Sequence, residues 1–434
     1  MFILLALYDI ATVVIFLFAL PKILWDYVFR SKYRSVLVEK LGLRMPQLKP
    51  SDKPLIWVHA VSLGEFKAVS YLLHIWRKEL PQLRLFVTHG TLTGYKQAEK
   101  EFGNHLEHAM LPIDLPFNSK RLIKSLKPKA LIHVESDLWP GYLLRAKKSG
   151  CQCYVINAKF SDKSAQRMLS FKQLTKPLLI DPIDLFCLKS VHEERFLKQI
   201  GASHFEVTGN IKWDHPYPTP DSMNLAALRQ RLCLSASNKL VVAASTHSGE
   251  ELAILESLKK DLLAGKFQLV IVPRHPERFR RVLTLVKSMG FHAFAYSEAS
   301  TVTNEAKKRA QVIIIDTMGM MLECYALSQC ALVGGSWEPI GGHNILEPLA
   351  MGIATFYGPY MHNQKEMHEM ATLYNAASQI SIYEISEAVE KTIAMKSGLD
   401  ERRKNAEKML ASCSGSVKRT DMLLRNSWKE KGIL

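Results

Sequence analysis

Short apolar runs alternate with amphipathic segments along most of this chain. In the first half, the runs that read as strands are residues 55–58, 85–87, 130–134 and 153–156, with helical periodicity after the first three. The second half repeats this order, with predicted strands at residues 240–244, 268–272, 312–315, 331–333 and 353–356. Such alternation predicts parallel sheets that carry helices on both faces.

A proline-rich run separates the two halves. Residues 214–221 contain three prolines, which neither a helix interior nor a central strand accommodates. The sequence therefore predicts an α/β protein with two Rossmann-like domains, residues 55–214 and 222–434, that face each other across a cleft. In sheets of this kind, ligands bind beyond the carboxyl ends of the strands.

The N-terminal residues predict a membrane helix. Residues 1–20 are apolar except for Asp9, and the apolar character extends to Trp25, which is about the 20 residues that a bilayer core requires. We assign residues 1–25 to this anchor and residues 26–54 to a basic juxtamembrane segment and linker. Basic residues follow the apolar run and place the rest of the chain in the cytoplasm; they are Lys22, Arg30, Lys32 and Arg34. A charge at membrane depth costs roughly 3 kcal/mol, so Asp9 leaves both a spanning helix and a shallow interfacial helix open.

The amino-acid composition indicates which class of molecule the protein binds. The 434 residues carry a net charge of +16, which indicates an anionic partner. No nucleic-acid-binding module is recognisable, so an acidic membrane and its lipids are favoured over nucleic acid. The seven cysteines have no paired spacing, which indicates structural thiols in a reducing compartment.

A glycine-rich segment at residues 331–348 gives the first indication of chemistry. It begins as a buried strand, and the pairs Gly334-Gly335 and Gly341-Gly342 precede an apolar turn that carries Glu347. Glycines after a strand let backbone N–H groups approach a phosphate, and a helix that starts there favours negative charge. The spacing matches neither a dinucleotide fingerprint nor a P-loop. An ordinary glycine-rich turn is the alternative.

Ten blocks of the chain, in the same order, resemble the Kdo transferases, which move 3-deoxy-D-manno-octulosonic acid (Kdo) from CMP-Kdo to a lipid A precursor. They include His59-Ala-Val-Ser-Leu-Gly-Glu65; the ten are residues 59–65, 91–95, 135–140, 156–159, 209–214, 245–251, 273–279, 316–319, 334–348 and 358–363. The resemblance implies a GT-B glycosyltransferase whose N-terminal domain binds the acceptor and whose C-terminal domain binds CMP-Kdo. It also implies inverting transfer to lipid IVA in lipopolysaccharide biosynthesis, at the cytoplasmic face of the inner membrane.

Three residues are candidates for catalysis. Glu65 follows the first strand of the N-terminal domain, where a carboxylate suits a general base that removes a hydroxyl proton; interaction with a helix N-terminus is the alternative. Glu135 is either a strand-end cap or a site residue. Lys212 is either a surface lysine or a cation that meets a departing phosphate. The resemblance implies that Glu65 is the proton acceptor and that Glu135 and Lys212 stabilise the transition state.

The resemblance also implies a set of donor-binding residues. They are Pro273, Arg274, Gly319, Met320, Met321, Asn344, Ile345, Leu346 and Glu347. Arginine suits a phosphate, and Glu347 suits the ribose hydroxyls. Met320 stands where the family usually has glutamate, which puts a donor contact in doubt unless backbone atoms make it. No Asp-x-Asp pair and no zinc-binding spacing occur, so we expect neither a metal nor a cofactor besides the donor substrate.

Two other functions are open on sequence grounds. One is a GT-B transferase with a different sugar donor. The other is a catalytically silent, membrane-tethered protein that binds a nucleotide or a lipid. The presence of Glu65, Glu135 and Lys212 together favours an enzyme over the silent alternative.

Overall fold

The computed structural model describes residues 2–29, 31–235, 237–394 and 398–434. Contacts divide the chain into two compact units, which we call the first unit (Met1–His215 with Cys413–Leu434) and the second unit (Pro216–Ser412). Each unit contains one seven-stranded sheet in which all neighbouring strands are parallel. The predicted pair of Rossmann-like α/β folds is therefore confirmed.

The first unit opens with two helices and then alternates strands with helices. Its elements are α1 (Phe2–Phe29), α2 (Ser31–Lys40), β1 (Leu55–Ala60), α3 (Leu63–Glu79), β2 (Arg84–His89), α4 (Leu92–Phe102), β3 (Glu107–Met110), α5 (Pro116–Leu126), β4 (Ala130–Val134), α6 (Pro140–Lys148), β5 (Gln152–Ala158), α7 (Asp162–Ser170), α8 (Lys172–Thr175), β6 (Leu185–Leu188), α9 (Val191–Ile200) and β7 (Phe205–Val207). The strand order is β3-β2-β1-β4-β5-β6-β7.

The second unit repeats this architecture. Its elements are α10 (Leu225–Leu232), β8 (Leu240–Thr246), α11 (Glu250–Leu263), β9 (Gln268–Pro273), α12 (Phe279–Ser288), β10 (Ala293–Ala295), α13 (Asn304–Arg309), β11 (Val312–Ile314), α14 (Met321–Leu327), β12 (Cys330–Val333), α15 (Leu346–Ala350), β13 (Ala354–Tyr357), α16 (Lys365–Leu373), β14 (Ser378–Gln379), α17 (Ile385–Ala394) and α18 (Gly398–Cys413). The strand order is β10-β11-β9-β8-β12-β13-β14.

Alternating side chains of the central strands fill a core on each face of a sheet. In β1, Ile56 and Val58 pack into one cluster, which also holds Trp76 of α3. Leu55 and Trp57 of the same strand belong to the opposite cluster. Because both faces are covered, β1 is buried along its whole length, which explains its continuous apolar run.

Five strands lie outside the predicted set, and they sit toward the margins of the sheets. They are β3, β6, β7, β10 and β14. Each has two to four residues. These strands are also incompletely buried, so they lack the continuous apolar run that identifies an equally short central strand such as β11.

The last helix departs from the predicted domain boundary. Residues 222–434 were assigned to the second domain, but α19 (Ser416–Glu430) packs on the first unit. Trp428 lies in the core cluster of α3, and the Trp76 indole N–H donates to Asp421 at 2.7 Å. The chain thus enters the second unit inside the proline-rich run, between His215 and Pro216, and returns before α19.

The N-terminal helix α1 is longer than predicted and contacts α6 and the residue segment before α5 in the same unit. One segment, Ile3–Ile23, is long and apolar enough to cross a membrane. Near its start, the Tyr8 hydroxyl donates to Asp114 at 2.8 Å, and Asp9 pairs with Arg145 at 2.6 Å. The predicted linker, residues 26–54, contains α2. Three of the predicted basic side chains lie outside the part of the chain that the structure describes; they belong to Arg30, Lys32 and Arg34.

Candidate active site

Glu65 occupies the third position of α3, just beyond the carboxyl end of β1. Its carboxylate accepts from the Val61 backbone N–H at 2.6 Å and from the Ser62 hydroxyl at 3.0 Å. Burial raises the pKa of this carboxyl, the Val61 hydrogen bond opposes the rise, and the negative charge of Glu135 adds to it. The two interpretations of Glu65 are therefore compatible: the helix start holds a carboxylate whose proton affinity is increased.

Glu135 immediately follows β4 and has an unusual backbone conformation. Its φ of +63° lies in the left-handed region, which non-glycine residues seldom occupy. Its side chain accepts from the Lys212 ammonium at 2.5 Å, and both side chains are partly exposed. The structure thus brings Glu65, Glu135 and Lys212 together at the carboxyl edge of the first sheet, as parallel topology requires of residues that follow its strands.

Asn157 is a positioning residue that sequence reasoning missed. It lies near the end of β5 with a φ of +53°, where the register between β5 and β6 shifts. Its buried side-chain oxygen accepts from the Ile211 backbone N–H at 3.1 Å. The next residue is Lys212, so this bond fixes the segment that carries the ammonium. Asparagine tolerates the left-handed conformation. An asparagine near the end of a strand was therefore the sequence feature that could have pointed to this position.

Lys40 is a second cation that the sequence analysis did not single out. It is the last residue of α2, and its half-buried ammonium donates to the Gly90 carbonyl beyond β2. Burial lowers its pKa, while the charge of Asp137 opposes that shift. Burial also raises the pKa of Asp137 itself. Helix α2 therefore contributes a cation to the sheet edge that holds Glu135.

Buried histidines lie beneath this edge. His59, His89 and His133 are each at most 1% exposed. The rings of His59 and His133 meet edge to face with centroids 5.8 Å apart. Burial lowers the pKa of His133 to about 4 and that of His89 to about 3. These side chains are therefore neutral at pH 7 and act as packed polar groups.

In the second unit, Arg274 is placed to meet an anion. It follows Pro273 at the end of β9, and its backbone N–H donates to the Thr246 carbonyl at 3.0 Å. Its side chain is exposed and forms no ion pair within the described part of the chain. The nearby Arg278, in contrast, is committed to Glu251 through two hydrogen bonds of 2.7 and 2.9 Å.

The glycine-rich turn after β12 does not present its first N–H groups to a ligand, which corrects the phosphate-cradle interpretation there. The buried carboxylate of Glu250 accepts from the N–H groups of Gly335, Ser336 and Trp337 at 2.8 to 3.0 Å. A side chain of the protein itself thus fills the anion-binding turn. Glu250 stands at the first position of α11, and sequence reasoning gave it no role.

Asn344 and Glu347 form a small polar cluster with a residue from the proline-rich run. The Asn344 amide donates to Glu347 at 3.3 Å and to the Tyr217 hydroxyl at 3.4 Å. Burial raises the pKa of Tyr217 to about 12. Helix α15 has five residues, fewer than a strong helix dipole needs. Ile345 and Leu346 are buried, and the Leu346 backbone N–H donates to the Asn344 side-chain oxygen at 2.9 Å.

Gly319, Met320 and Met321 lie at the start of α14. Gly319 has a φ of +90° and no atom within 4 Å of the place a Cβ would occupy. Met320 and Met321 are partly exposed. An open glycine turn permits backbone contacts with a ligand, which is the condition under which methionine can replace the family's glutamate.

Three histidines from separate loops of the second unit gather near Arg274. The Nε2 atoms of His247 and His343 are 2.8 Å apart in stacked rings, and His275 meets His247 edge to face. Burial, with the charges of His247, Arg274 and His275, lowers the pKa of His343 to about 4. Among the described residues, no group of three His, Cys, Asp or Glu side chains is arranged to hold a metal ion.

Comparisons with known proteins identify relatives of this chain. The sequence model of the 3-deoxy-D-manno-octulosonic-acid transferase (kdotransferase) family matches residues 36–215. A 3-deoxy-D-manno-octulosonic acid transferase of Chlamydia muridarum is 30% identical over 92% of this chain and 91% of its own. The enzyme of the same name from Haemophilus influenzae is 31% identical over 83% of both chains.

The chain belongs to the Kdo transferase family. It is therefore a glycosyltransferase, as the ten sequence blocks implied. Solved structures with low sequence identity share its fold. A glycosyltransferase from Rickettsia africae aligns with a TM-score of 0.55 at 14% identity, over 88% of this chain and 99% of its own. The UDP-GlcNAc 2-epimerase from Neisseria meningitidis aligns with a TM-score of 0.57 at 14% identity, over 86% and 100%. The predicted GT-B fold class is thereby confirmed.

The buried histidines predict that this Kdo transferase is sensitive to acid. An unfolded histidine takes up a proton near pH 6.5, but native His133 resists protonation down to about pH 4. The free energy of unfolding is therefore retained above pH 6.5 and falls as the pH drops toward 4. His133 alone accounts for a fall of about 3 kcal/mol, since one pKa unit corresponds to about 1.4 kcal/mol.

Urea unfolding measured at several pH values between 7.5 and 4.5 tests this prediction. His133→Gln should flatten the pH dependence, whereas the matched change His105→Gln, at an exposed site, should leave it intact. An equal dependence in all three proteins would contradict the assignment to His133.

Proposed function

We propose that this chain transfers Kdo from CMP-Kdo to a hydroxyl of a lipid A precursor such as lipid IVA, in lipopolysaccharide biosynthesis. The observation that carries the proposal is the cluster of Glu65, Glu135 and Lys212 at one sheet edge of a Kdo transferase. Glu65 supplies a carboxylate with a raised pKa, which suits proton transfer better than an ordinary exposed glutamate does. Lys212 supplies a cation that Glu135 holds in place.

The reaction uses these groups in one displacement. The acceptor oxygen forms a bond to the anomeric carbon of Kdo as the bond from that carbon to the CMP phosphate oxygen breaks. The hydroxyl proton passes to the Glu65 carboxylate, and the electron pair of the broken bond leaves with CMP. Attack opposite the leaving group inverts the anomeric centre. Lys212 stabilises the charge that grows on the departing phosphate.

We assign donor binding to the second unit. Arg274 is an exposed guanidinium without an ion pair among the described residues, and it suits the single phosphate of CMP-Kdo. The Asn344–Glu347 pair offers hydrogen-bonding groups for the ribose. Gly319, Met320 and Met321 offer backbone atoms for the cytosine. CMP-Kdo carries a single phosphate, which a guanidinium can neutralise, so we expect the reaction to need no metal.

We further propose that α1 holds the enzyme on the cytoplasmic face of the inner membrane by lying in the interface. A helix of 28 residues is long enough to span a bilayer. Tyr8 and Asp9, however, bind Asp114 and Arg145 of the first unit, which keeps that end of α1 beside the catalytic unit. The opposite side of α1 exposes apolar residues, including Ile3, Leu7 and Phe18. This geometry fits a shallow helix and gives Asp9 a partner outside the hydrocarbon.

Mass spectrometry of the acceptor after reaction tests the proposed function. The full chain in detergent, with CMP-Kdo and lipid IVA, should add the mass of at least one Kdo residue to the acceptor. Excess EDTA should not change the yield, because no step relies on a metal. No product with CMP-Kdo, but product with another sugar nucleotide, would contradict the donor assignment. Loss with EDTA that magnesium restores would contradict the metal-independent mechanism.

Arg274→Gln should raise the KM for CMP-Kdo. The change removes a charge-assisted hydrogen bond to phosphate, which corresponds to about 10- to 100-fold in affinity. Arg280→Gln is the matched control, since Arg280 is exposed on α12 of the same unit. Steady-state kinetics at saturating acceptor measure both variants. Equal KM values for the Arg274 variant and the wild type would remove Arg274 from the donor site.

A further inference from the structure

A basic cavity of about 620 Å³ lies in the first unit, away from the candidate active site. Helices α5 and α6 and the segments that lead into β4 and β5 form it. Its charged lining consists of Lys120, Lys124, Lys127, Lys129, Arg145 and Lys148. Within the part of the chain that the structure describes, no carboxylate lines this cavity.

Four of these lysines carry uncompensated charge. Lys120, Lys124, Lys127 and Lys129 are exposed and form no ion pair with any described residue. Lys120, Lys124 and Lys127 follow each other at spacings of four and three along α5 and its C-cap, so they project from one face. Several like charges around one concavity make a favourable site for an anion.

The cavity is at the amino ends of the strands, whereas the catalytic candidates are at the carboxyl ends. Lys129 immediately precedes β4, and Glu135 immediately follows it. The five residues of β4 therefore separate the cavity from Glu135 along the strand. The cavity is not a part of the cluster that contains Glu65, Glu135 and Lys212.

The cavity adjoins the apolar helix α1. Arg145 lines the cavity and also pairs with Asp9 of α1 at 2.6 Å. The side chain of Phe117 on α5 is 49% exposed, one turn before Lys120. Exposed apolar side chains and uncompensated lysines therefore occur side by side, which is the combination that binds the surface of an acidic membrane.

We propose that this cavity binds the phosphate headgroup of an anionic membrane phospholipid. Charge complementarity selects the phosphate, and the exposed Phe117 side chain beside the lysines, together with the apolar helix α1 that Arg145 contacts, selects a lipid over a soluble anion. The bound headgroup fixes the rotation of the first unit about α1. This site goes beyond the proposed function, since it involves neither CMP-Kdo nor the acceptor hydroxyl.

Flotation of the full chain with vesicles tests the proposal. The vesicles are phosphatidylcholine alone, or phosphatidylcholine with phosphatidylglycerol, or phosphatidylcholine with oleate at equal surface charge. The wild type should prefer phosphatidylglycerol over both others. K124Q/K127Q should lower this preference by about 5-fold for each lysine, or roughly 25-fold for the pair, from about 1 kcal/mol per lysine near an anionic surface.

The matched control is K259Q/K260Q, which removes the same charge from exposed positions of α11. It should keep the wild-type preference, and both double variants should keep wild-type turnover of detergent-solubilised acceptor. Equal losses in the two double variants, or equal binding to oleate vesicles, would overturn the site in favour of diffuse electrostatics. Competition by inorganic phosphate at constant ionic strength would identify a soluble anion as the ligand. Lost turnover in K124Q/K127Q would assign the lysines to acceptor binding. Phosphate competition and lost turnover would each contradict the proposal.

Discussion

The ion pair between Glu135 and Lys212 is the interaction on which the candidate site of the first unit depends. Glu135 adopts a left-handed conformation, at a cost of about 1–3 kcal/mol for a non-glycine residue. That conformation turns the chain sharply at the end of β4, where the carboxylate meets the ammonium of Lys212. The same negative charge contributes to the raised pKa of Glu65. One strained residue thus orders the cation and tunes the neighbouring carboxylate.

The glycine-rich turn of the second unit binds a carboxylate of the protein itself, whereas other proteins bind a phosphate in such a turn. Glu250 occupies the N–H groups of residues 335–337, so the turn is a structural element that joins α11 to β12. These three N–H groups are therefore not free to bind a phosphate. Arg274 is an exposed cation in this unit, and the pKa of His343 is lowered to about 4, first by burial and then by the charges of His247, Arg274 and His275.

Sequence pattern was sufficient for the central strands, because buried parallel strands read as apolar runs. It also placed Glu65 and Glu135 just after strands, but their catalytic roles, like that of Lys212, were implied by the family resemblance and stay predictions. It was insufficient wherever a partner distant in sequence decides the role of a residue. Lys40 reaches Gly90, and Glu250 reaches residues 335–337, through contacts that no local spacing encodes. The return of α19 to the first unit depends on Trp428 and Asp421 packing with Trp76, which is 345 residues from Asp421. The short strands β7 and β14 were missed because they are partly exposed and include polar residues, so they lack the apolar run that identified the similarly short β11.

The pH dependence of single-turnover transfer, compared between the wild type and Glu65→Gln, tests the central claim most directly. The wild-type rate should fall in acid with an apparent pKa above the ordinary value for glutamate, because burial raises the pKa of Glu65. Glutamine keeps an oxygen for the Val61 N–H, so the variant should remain folded, but its rate should be lower by about 10² or more and lack this acid limb. A folded variant with a rate within a few-fold of the wild type, or with the same acid limb, would contradict the role of Glu65 as the base.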